Sequence, residues 1–312
     1  MKLNQQALLG NTTQMAQNSA YSLAFHRGLG ESLSMSSSVP INKYVDAESV
    51  AEFAASAYAK PSFAIVGNGV AHNELNKWVN EFFTDIPSQP AYKLESAQTK
   101  YFGGEERISH GSGNSMVIAF PGSSSPTGSS YKPEASVLAA ILGGPSTIKW
   151  SAGSSRLLQA TQNVKIQTKS DIYSDAGLFS ITLTGSANDI AQNAKPVVDT
   201  LKSIASGISS EDLAKAKALA KFKELEHGQD IRAGLELTGN GLIHNTQPYQ
   251  IDEVAQKIDG VTEESVKKVS LLYIVLYVLY ANIYPRLPRN YLRATPQYRP
   301  SVTFSYYPTL RI

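Results

Sequence analysis

Five histidines, His26, His72, His110, His227 and His244, are the side chains best suited to metal or proton chemistry, and no two of them lie within five residues of each other. A zinc hydrolase needs two histidines one helical turn apart with a glutamate beside them, so that one helix face grips the ion and the carboxylate takes a proton from bound water. Neither HExxH nor HxxEH occurs. Histidines scattered in this way read as solvent-facing or cap-forming groups. The chain has no cysteine, which excludes disulfides, thiolate zinc sites, CxxC redox chemistry and a thiol nucleophile. It also lacks a GxSxG elbow to strain a serine into nucleophilic geometry.

Three further patterns invite chemistry and lose it on inspection. Gly67-Asn68-Gly69-Val70-Ala71-His72 falls between a predicted strand and a predicted helix, as a dinucleotide fingerprint would, but the third glycine is replaced by His72. The loops Ser123–Ser130 and Gly143-Gly144-Pro145 offer backbone N–H groups, yet neither matches GxxxxGK[ST], so both read as flexible surface loops. Lys215, Lys217, Lys221 and Lys223 are flanked by Glu211, Asp212, Glu224 and Glu226, and only Phe222 is aromatic nearby, which reads as a solvated helix face. No catalytic, cofactor-binding or metal-binding residue is assigned.

The elements that would position such residues follow from periodicity. Helical spacing over Leu3–Phe25 is followed by a Gly/Ser loop and a helix Ala47–Ala59 capped by Asp46. Ser62–Val66 reads as a strand and Asn73–Thr84 as an amphipathic helix with Leu75, Trp78, Val79 and Phe82 on one side. Pro87 opens a polar linker to about Lys100. Strands are expected over Tyr101–Arg107 and Ser115–Phe120, a helix over Pro133–Leu142, a short helix near Arg156–Thr161, and a hairpin Val164–Tyr173 with Leu178–Thr184. Helices follow over Ile190–Ile204, where Pro196 forces a late start or a kink, and over Glu211–Glu226, Asp230–Leu237, Asp252–Ile258 and Glu263–Val269. Strands and then a run of helices predict an α+β fold: largely antiparallel sheets with helices packed on one face.

The charge balance changes along the 312 residues. Residues 1–269 hold 19 lysines, four arginines and all 26 acids, net −3; residues 270–312 hold five arginines and no acid, net +5. That last stretch also carries eight of the 16 tyrosines and five of the 15 prolines, and it reads as a foreign tail. Its apolar run Leu271–Ala281 is shorter than the roughly 18 residues of a spanning helix, so the chain is expected to be soluble. The N-terminus shows neither a secretory core nor an arginine-rich presequence.

Several segments, in order, resemble one family. They are Lys2–Asn11, Phe25-His26-Arg27-Gly28-Leu29-Gly30, Tyr58-Ala59-Lys60-Pro61, Tyr101-Phe102-Gly103-Gly104-Glu105-Glu106-Arg107, Met116–Gly122 and Leu142–Trp150. Together they are similar to the core protein 2 family of mitochondrial ubiquinol–cytochrome c reductase, respiratory complex III, in its fungal form. The resemblance implies the fold of the processing peptidases and insulin-degrading enzymes, a non-catalytic structural role and no cofactor. It implies a matrix-side place at the mitochondrial inner membrane within a dimeric complex, with core protein 1 and other complex III subunits as partners and no nucleic acid.

On this reading residues 1–86 are the C-terminal part of a truncated first peptidase-like domain, 87–100 the linker, 101–269 a nearly complete second domain, and 270–312 an aberrant tail of non-family sequence, produced by intron read-through and a frameshift. A half-domain without its first strands would expose apolar faces. The runner-up implied by the same kinship is the non-zinc subunit of a mitochondrial processing-peptidase-type metalloendopeptidase, whose glycine-rich substrate loop Gly143–Gly153 would supply.

Overall fold

In the computed structural model, residues 10–31, 46–92, 97–109, 113–144, 155–245, 247–283 and 300–305 are described. Five strands, β1 (Gly104–Ser109), β2 (Asn114–Pro121), β3 (Lys165–Ile172), β4 (Gly177–Gly185) and β5 (Pro300–Ser305), form one sheet in the order β1-β5-β2-β4-β3. Every neighbouring pair is antiparallel except β5 with β2. The central strands β2 and β4 are buried along almost their whole length, as strands covered on both faces must be.

One face of the sheet carries the main core. Met116, Ile118 and Phe120 of β2 and Phe179, Ile181 and Leu183 of β4 meet the helices α4 (Pro133–Leu142), α6 (Ala187–Ser206), α7 (Ser210–Gln229), α9 (Ile251–Asp259) and α10 (Glu263–Ile283). Two further helices are the short α5 (Arg156–Ala160) and α8 (Ile231–Asn245), which follows α7. Pro196 does not delay α6: Ser186 caps its first turn by accepting from the Asp189 N–H at 3.1 Å, so the helix starts at Ala187 and runs through the proline.

The opposite face is covered by α1 (Thr12–Phe25), the described part of the helix predicted over Leu3–Phe25. Asn11 caps it, accepting from the Gln14 N–H at 3.1 Å. Its stripe Ala16, Ala20 and Ala24, buried together with Phe25, lies on Val117, Ala119 and Leu178. Alanine at every fourth position lets the helix backbone approach the sheet closely, and polar pins fix the register. Thr13 Oγ1 lies 3.0 Å from Ser115 Oγ, Ser19 donates to Glu106, and the Tyr21 hydroxyl donates to Asp171 Oδ2 at 2.7 Å. The predicted first unit is therefore divided in space, with α1 docked on the sheet of the second.

Residues 46–92 hold α2 (Ala47–Ala57) and α3 (His72–Phe82). The expected strand Ser62–Val66 is not formed; Phe63–Gly67 carries no ladder, because nothing among the described residues pairs with it. Only Ser56 and Ala59 are buried in this whole segment.

The predicted end of the last helix at Val269 is corrected. α10 continues to Ile283, and Ser270, Tyr273 and Leu276 are buried at 0%, 2% and 0% exposure. Their spacing of three is helical, and the apolar run set aside as too short for a membrane is the helix's second half. The tail also yields a strand, β5, where none was expected. Among the described residues no helix is long and apolar enough to cross a membrane.

Candidate interaction surface

The patterns weighed for chemistry fall apart in space. Gly69 takes φ +77° at an open bend, and α3 begins at His72 with no side-chain cap at Ala71. With no strand before the bend, the strand-to-helix geometry that presents N–H groups to a pyrophosphate is missing from 63–72. His26 caps the end of α1 and its ring lies 4.6 Å from that of Phe102; His72 lies 3.0 Å from the Asn76 amide; His244 sits in the last turn of α8. His110 lies outside the described residues, and His227 lies within α7. No group of three His, Cys, Asp or Glu side chains is placed to hold a metal ion among the described residues.

The loop Ser123–Ser130 is not the flexible surface loop predicted. Three of its N–H groups are already bonded: Ser124 donates to Ser130 O at 3.3 Å, Ser125 to Tyr173 O at 2.7 Å and Gly128 to Ser125 O at 2.7 Å. Ser123 Oγ, fully buried, accepts from the Lys132 N–H at 2.7 Å. These bonds tie the loop to its own turn and to Tyr173, so its backbone is held in place. Gly143 ends α4 at φ +71°, where a Cβ would meet Ser155 Cβ at 2.2 Å, so only glycine fits. Residues 145–154, the rest of the glycine-rich stretch, lie outside the described residues.

The lysine run of α7 divides between solvent and a neighbouring helix. Lys215 pairs with Glu211 at 2.6 Å on the open side, and this contact raises the ammonium's pKa. Lys217 instead donates to Val261 O at 2.8 Å and Lys221 reaches Asp259 at 2.7 Å, so both are turned toward α9 rather than freely solvated. Arg156 of α5 anchors the start of the same helix by an ion pair to Asp212 at 2.9 Å, and this hydrogen bond, with one from Ser209, holds the Asp212 carboxyl below the usual range.

What the surface does offer is apolar area. In α3, Trp78 and Phe82 stack at 5.5 Å and stand 52% and 66% exposed. Phe53, Tyr58 and Phe83 are exposed on the same 46–92 segment. The sequence carried this signal in full, as the amphipathic spacing of α3. A second patch was missed. Ala214, Ala218, Phe222 and Leu225 line a notch of about 480 Å³ between α7 and α9, closed at one side by Lys217, Lys221 and Asp259. The spacing 214, 218, 222, 225 is that of one helix face, masked by the interleaved lysines. Exposed apolar patches of this kind mark protein contacts.

Residues 44–219 match the Peptidase M16 inactive domain. Over 261 residues the chain is 40% identical to the cytochrome b-c1 complex subunit 2, mitochondrial, of Neurospora crassa, covering 82% of this chain and 57% of that protein. It is 31% identical over 259 residues to the subunit of the same name from Yarrowia lipolytica, covering 78% of this chain and 60% of that protein. It is 30% identical over 233 residues to mitochondrial-processing peptidase subunit alpha-2 of Dictyostelium discoideum, covering 72% and 51%. A chain in the solved structure of Complex III2 from Candida albicans, Inz-5 bound, superposes with a TM-score of 0.68 at 19% identity, covering 86% of this chain and 66% of that one. The chain thus spans less than two thirds of these relatives.

Proposed function

We propose, for a chain that belongs to the M16 peptidase family through its inactive domain, a non-catalytic role as a structural core subunit of the mitochondrial ubiquinol–cytochrome c reductase complex. The observation that carries this reading is the 40% identity to the Neurospora subunit over 261 residues. On this reading the chain sits on the matrix side of the inner membrane, peripheral to it, and packs against core protein 1 and other complex III subunits of a dimeric complex. It supports assembly and stability and binds no cofactor.

The exposed rings of α2 and α3 fit such a role. Each Å² of apolar surface covered contributes about 25 cal/mol, and obligate assemblies use large apolar contacts of this kind. We read residues 1–86 as part of a first domain, 87–100 as its linker, 101–269 as the second domain, and 270–312 as sequence foreign to the family. α1 then acts as the bridge, belonging to the first unit in sequence and to the second sheet in packing.

The test is mass spectrometry of native-gel complex III from the organism that encodes the chain. Peptides such as Ile258–Lys267 should co-migrate with the cytochromes; their migration elsewhere would sink the reading. A second reading rests on the 30% identity to the Dictyostelium peptidase subunit: the non-zinc partner of a processing-peptidase-type metalloendopeptidase. Presequence cleavage that appears only when this chain joins a zinc-bearing subunit would favour it.

A further inference from the structure

Two Asn-Gly pairs occur in the chain, Asn68-Gly69 and Asn240-Gly241, and their flanks match: each is preceded by glycine, Gly67 or Gly239, and followed by a branched apolar residue, Val70 or Leu242. In such a pair the side-chain amide carbon can meet the nitrogen of the next residue, because glycine brings no Cβ into the approach. The meeting also requires that the torsions of the asparagine can change and that the glycine N–H is not committed. The fold sets the two pairs apart on both counts.

Asn68, Gly69 and Val70 form an exposed bend between the extended residues Phe63–Gly67 and α3. Neither the Asn68 side chain nor the Gly69 N–H has a hydrogen-bond partner among the described residues. Gly69 lies at φ +77°, and a Cβ added there would meet nothing within 4 Å. The bend is held at its flanks, where Gly67 comes so close to α3 that a Cβ would lie 3.4 Å from Leu75 Cδ2, and where the Leu75 N–H donates to Ala71 O at 3.0 Å. Its middle is free to turn.

Asn240 is exposed as well, so access to water does not separate the pairs. It lies inside α8, however, where the helical ladder holds ψ near about −42° and takes up the N–H groups. Gly241 is buried, and a Cβ there would meet Gln247 O at 2.4 Å. That backbone cannot rearrange without opening the helix.

We propose that Asn68-Gly69 is a site of spontaneous covalent modification, at which the side-chain amide is lost as ammonia and residue 68 becomes a mixture of aspartate and isoaspartate. Hydroxide from water takes the Gly69 amide proton, and the nitrogen attacks Asn68 Cγ. The new N–Cγ bond closes a succinimide ring, the Cγ–Nδ2 bond breaks, and Nδ2 leaves as ammonia with a proton returned by water. A second water then adds to one of the two ring carbonyls. Breaking the Cγ–N bond restores the ordinary backbone with a carboxylate on the side chain. Breaking the bond from the Asn68 carbonyl carbon to the same nitrogen leaves the backbone running through the side chain, one methylene longer. The net change is amide plus water to carboxylate plus ammonia, with nothing oxidised or reduced. Both products add a negative charge just before α3, whose first turn has no side-chain cap at Ala71 and whose N-terminal dipole favours an anion. Isoaspartate also redirects the chain entering the helix that carries Trp78 and Phe82. The site is independent of the subunit reading.

The test incubates the full chain in neutral buffer and follows both pairs by peptide mapping in a mass spectrometer, with enzymatic methylation of isoaspartate as a second readout. The peptide holding Asn68 should gain one dalton and split into two chromatographic forms. It should do so at least about tenfold faster than the peptide holding Asn240, the ratio that an opening cost of about 1.4 kcal/mol for α8 produces. In denaturant the two pairs should convert at equal rates, because their flanking residues match. A Gly69→Ala chain should lose the conversion at position 68 and leave that at position 240 unchanged. No mass gain at Asn68, equal rates in the folded chain, a difference that persists in denaturant, or undiminished conversion in the Gly69→Ala chain would each overturn the proposal.

Discussion

Tyr273 lies parallel to Phe120, with ring centroids 4.6 Å apart and 7° between the planes, and its hydroxyl donates to Pro121 O at 3.1 Å. The contact joins residues 152 positions apart and seals the C-terminal helix onto the central strand. Tyr273→Ala should therefore cost about 3–5 kcal/mol, in the range of large-to-small aromatic substitutions in cores. Tyr273→Phe keeps the stack and loses one hydrogen bond, at about 1 kcal/mol. Denaturant unfolding of the full chain measures both. A silent Tyr273→Ala would mean that the segment after Val269 does not contribute to the core.

Alkaline stability follows from four tyrosines. Burial raises the pKa of Tyr273, and burial is also the leading cause at Tyr21, Tyr131 and Tyr249, with Asp171 and Tyr173 adding to it at Tyr21 and Glu224 at the other two. A phenol held neutral in the folded state loses its proton near the ordinary value of 10.0 once unfolded. The stability these groups contribute is thus complete below pH 10 and declines as pH rises above it. Absorbance at 295 nm during a pH titration should show these four ionising together with unfolding. Their titration near pH 10 with the fold intact would contradict their burial.

The docking of α1 rests on side-chain size. Ala20 is fully buried between Ala16 and Ala24 against Val117 and Ala119. Ala20→Leu must push the helix off the sheet or strain a rotamer, at about 1–3 kcal/mol. Ala20→Ser should cost less, since it adds only a hydroxyl. Thermal melts of the two variants test this ordering, and equal stability would show that the approach is looser than the contacts imply.

Acid should loosen the α5–α7 contact. The Asp212 carboxyl, held down by its hydrogen bond from Arg156, contributes stability that is present above the ordinary value of 3.8 and is lost as pH falls through its lower folded value. Asp212→Asn should shrink the loss of melting temperature below that pH without changing the curve at pH 7 by more than a small amount, because exposed ion pairs contribute little. An unchanged acid limb would show that other carboxylates dominate it.

The sequence was most legible where a single period ruled. α4 was read residue for residue as Pro133–Leu142 because proline marks its first turn and Gly143 its stop. The β3–β4 hairpin was placed within a residue or two because Asp175 marks its turn and Gly177 opens the second of two apolar alternations. Ser62–Val66 misled because strand character without a pairing strand leaves only extended chain. The end of α10 misled because composition outweighed spacing: Ser270, Tyr273 and Leu276 continue the helical face of Val266 into a segment without charge. The notch between α7 and α9 stayed hidden because lysines at 217 and 221 read as a solvated face, while their head groups bond to Val261 and Asp259.

The uncovered rings of α3 make the last prediction. Trp78 and Phe82 are more than half exposed and stack on each other, not on a core. Replacing both with serine removes little packing, so the unfolding free energy should move by no more than about 0.5 kcal/mol, as for surface sites. The same change deletes an apolar patch, so binding of a hydrophobic dye and self-association at high concentration should both fall. If the double variant instead loses several kcal/mol, the two rings are buried in solution, by a second copy or by other parts of the chain. Sedimentation velocity on the unsubstituted chain then distinguishes the two, because only a second copy makes the burial depend on concentration.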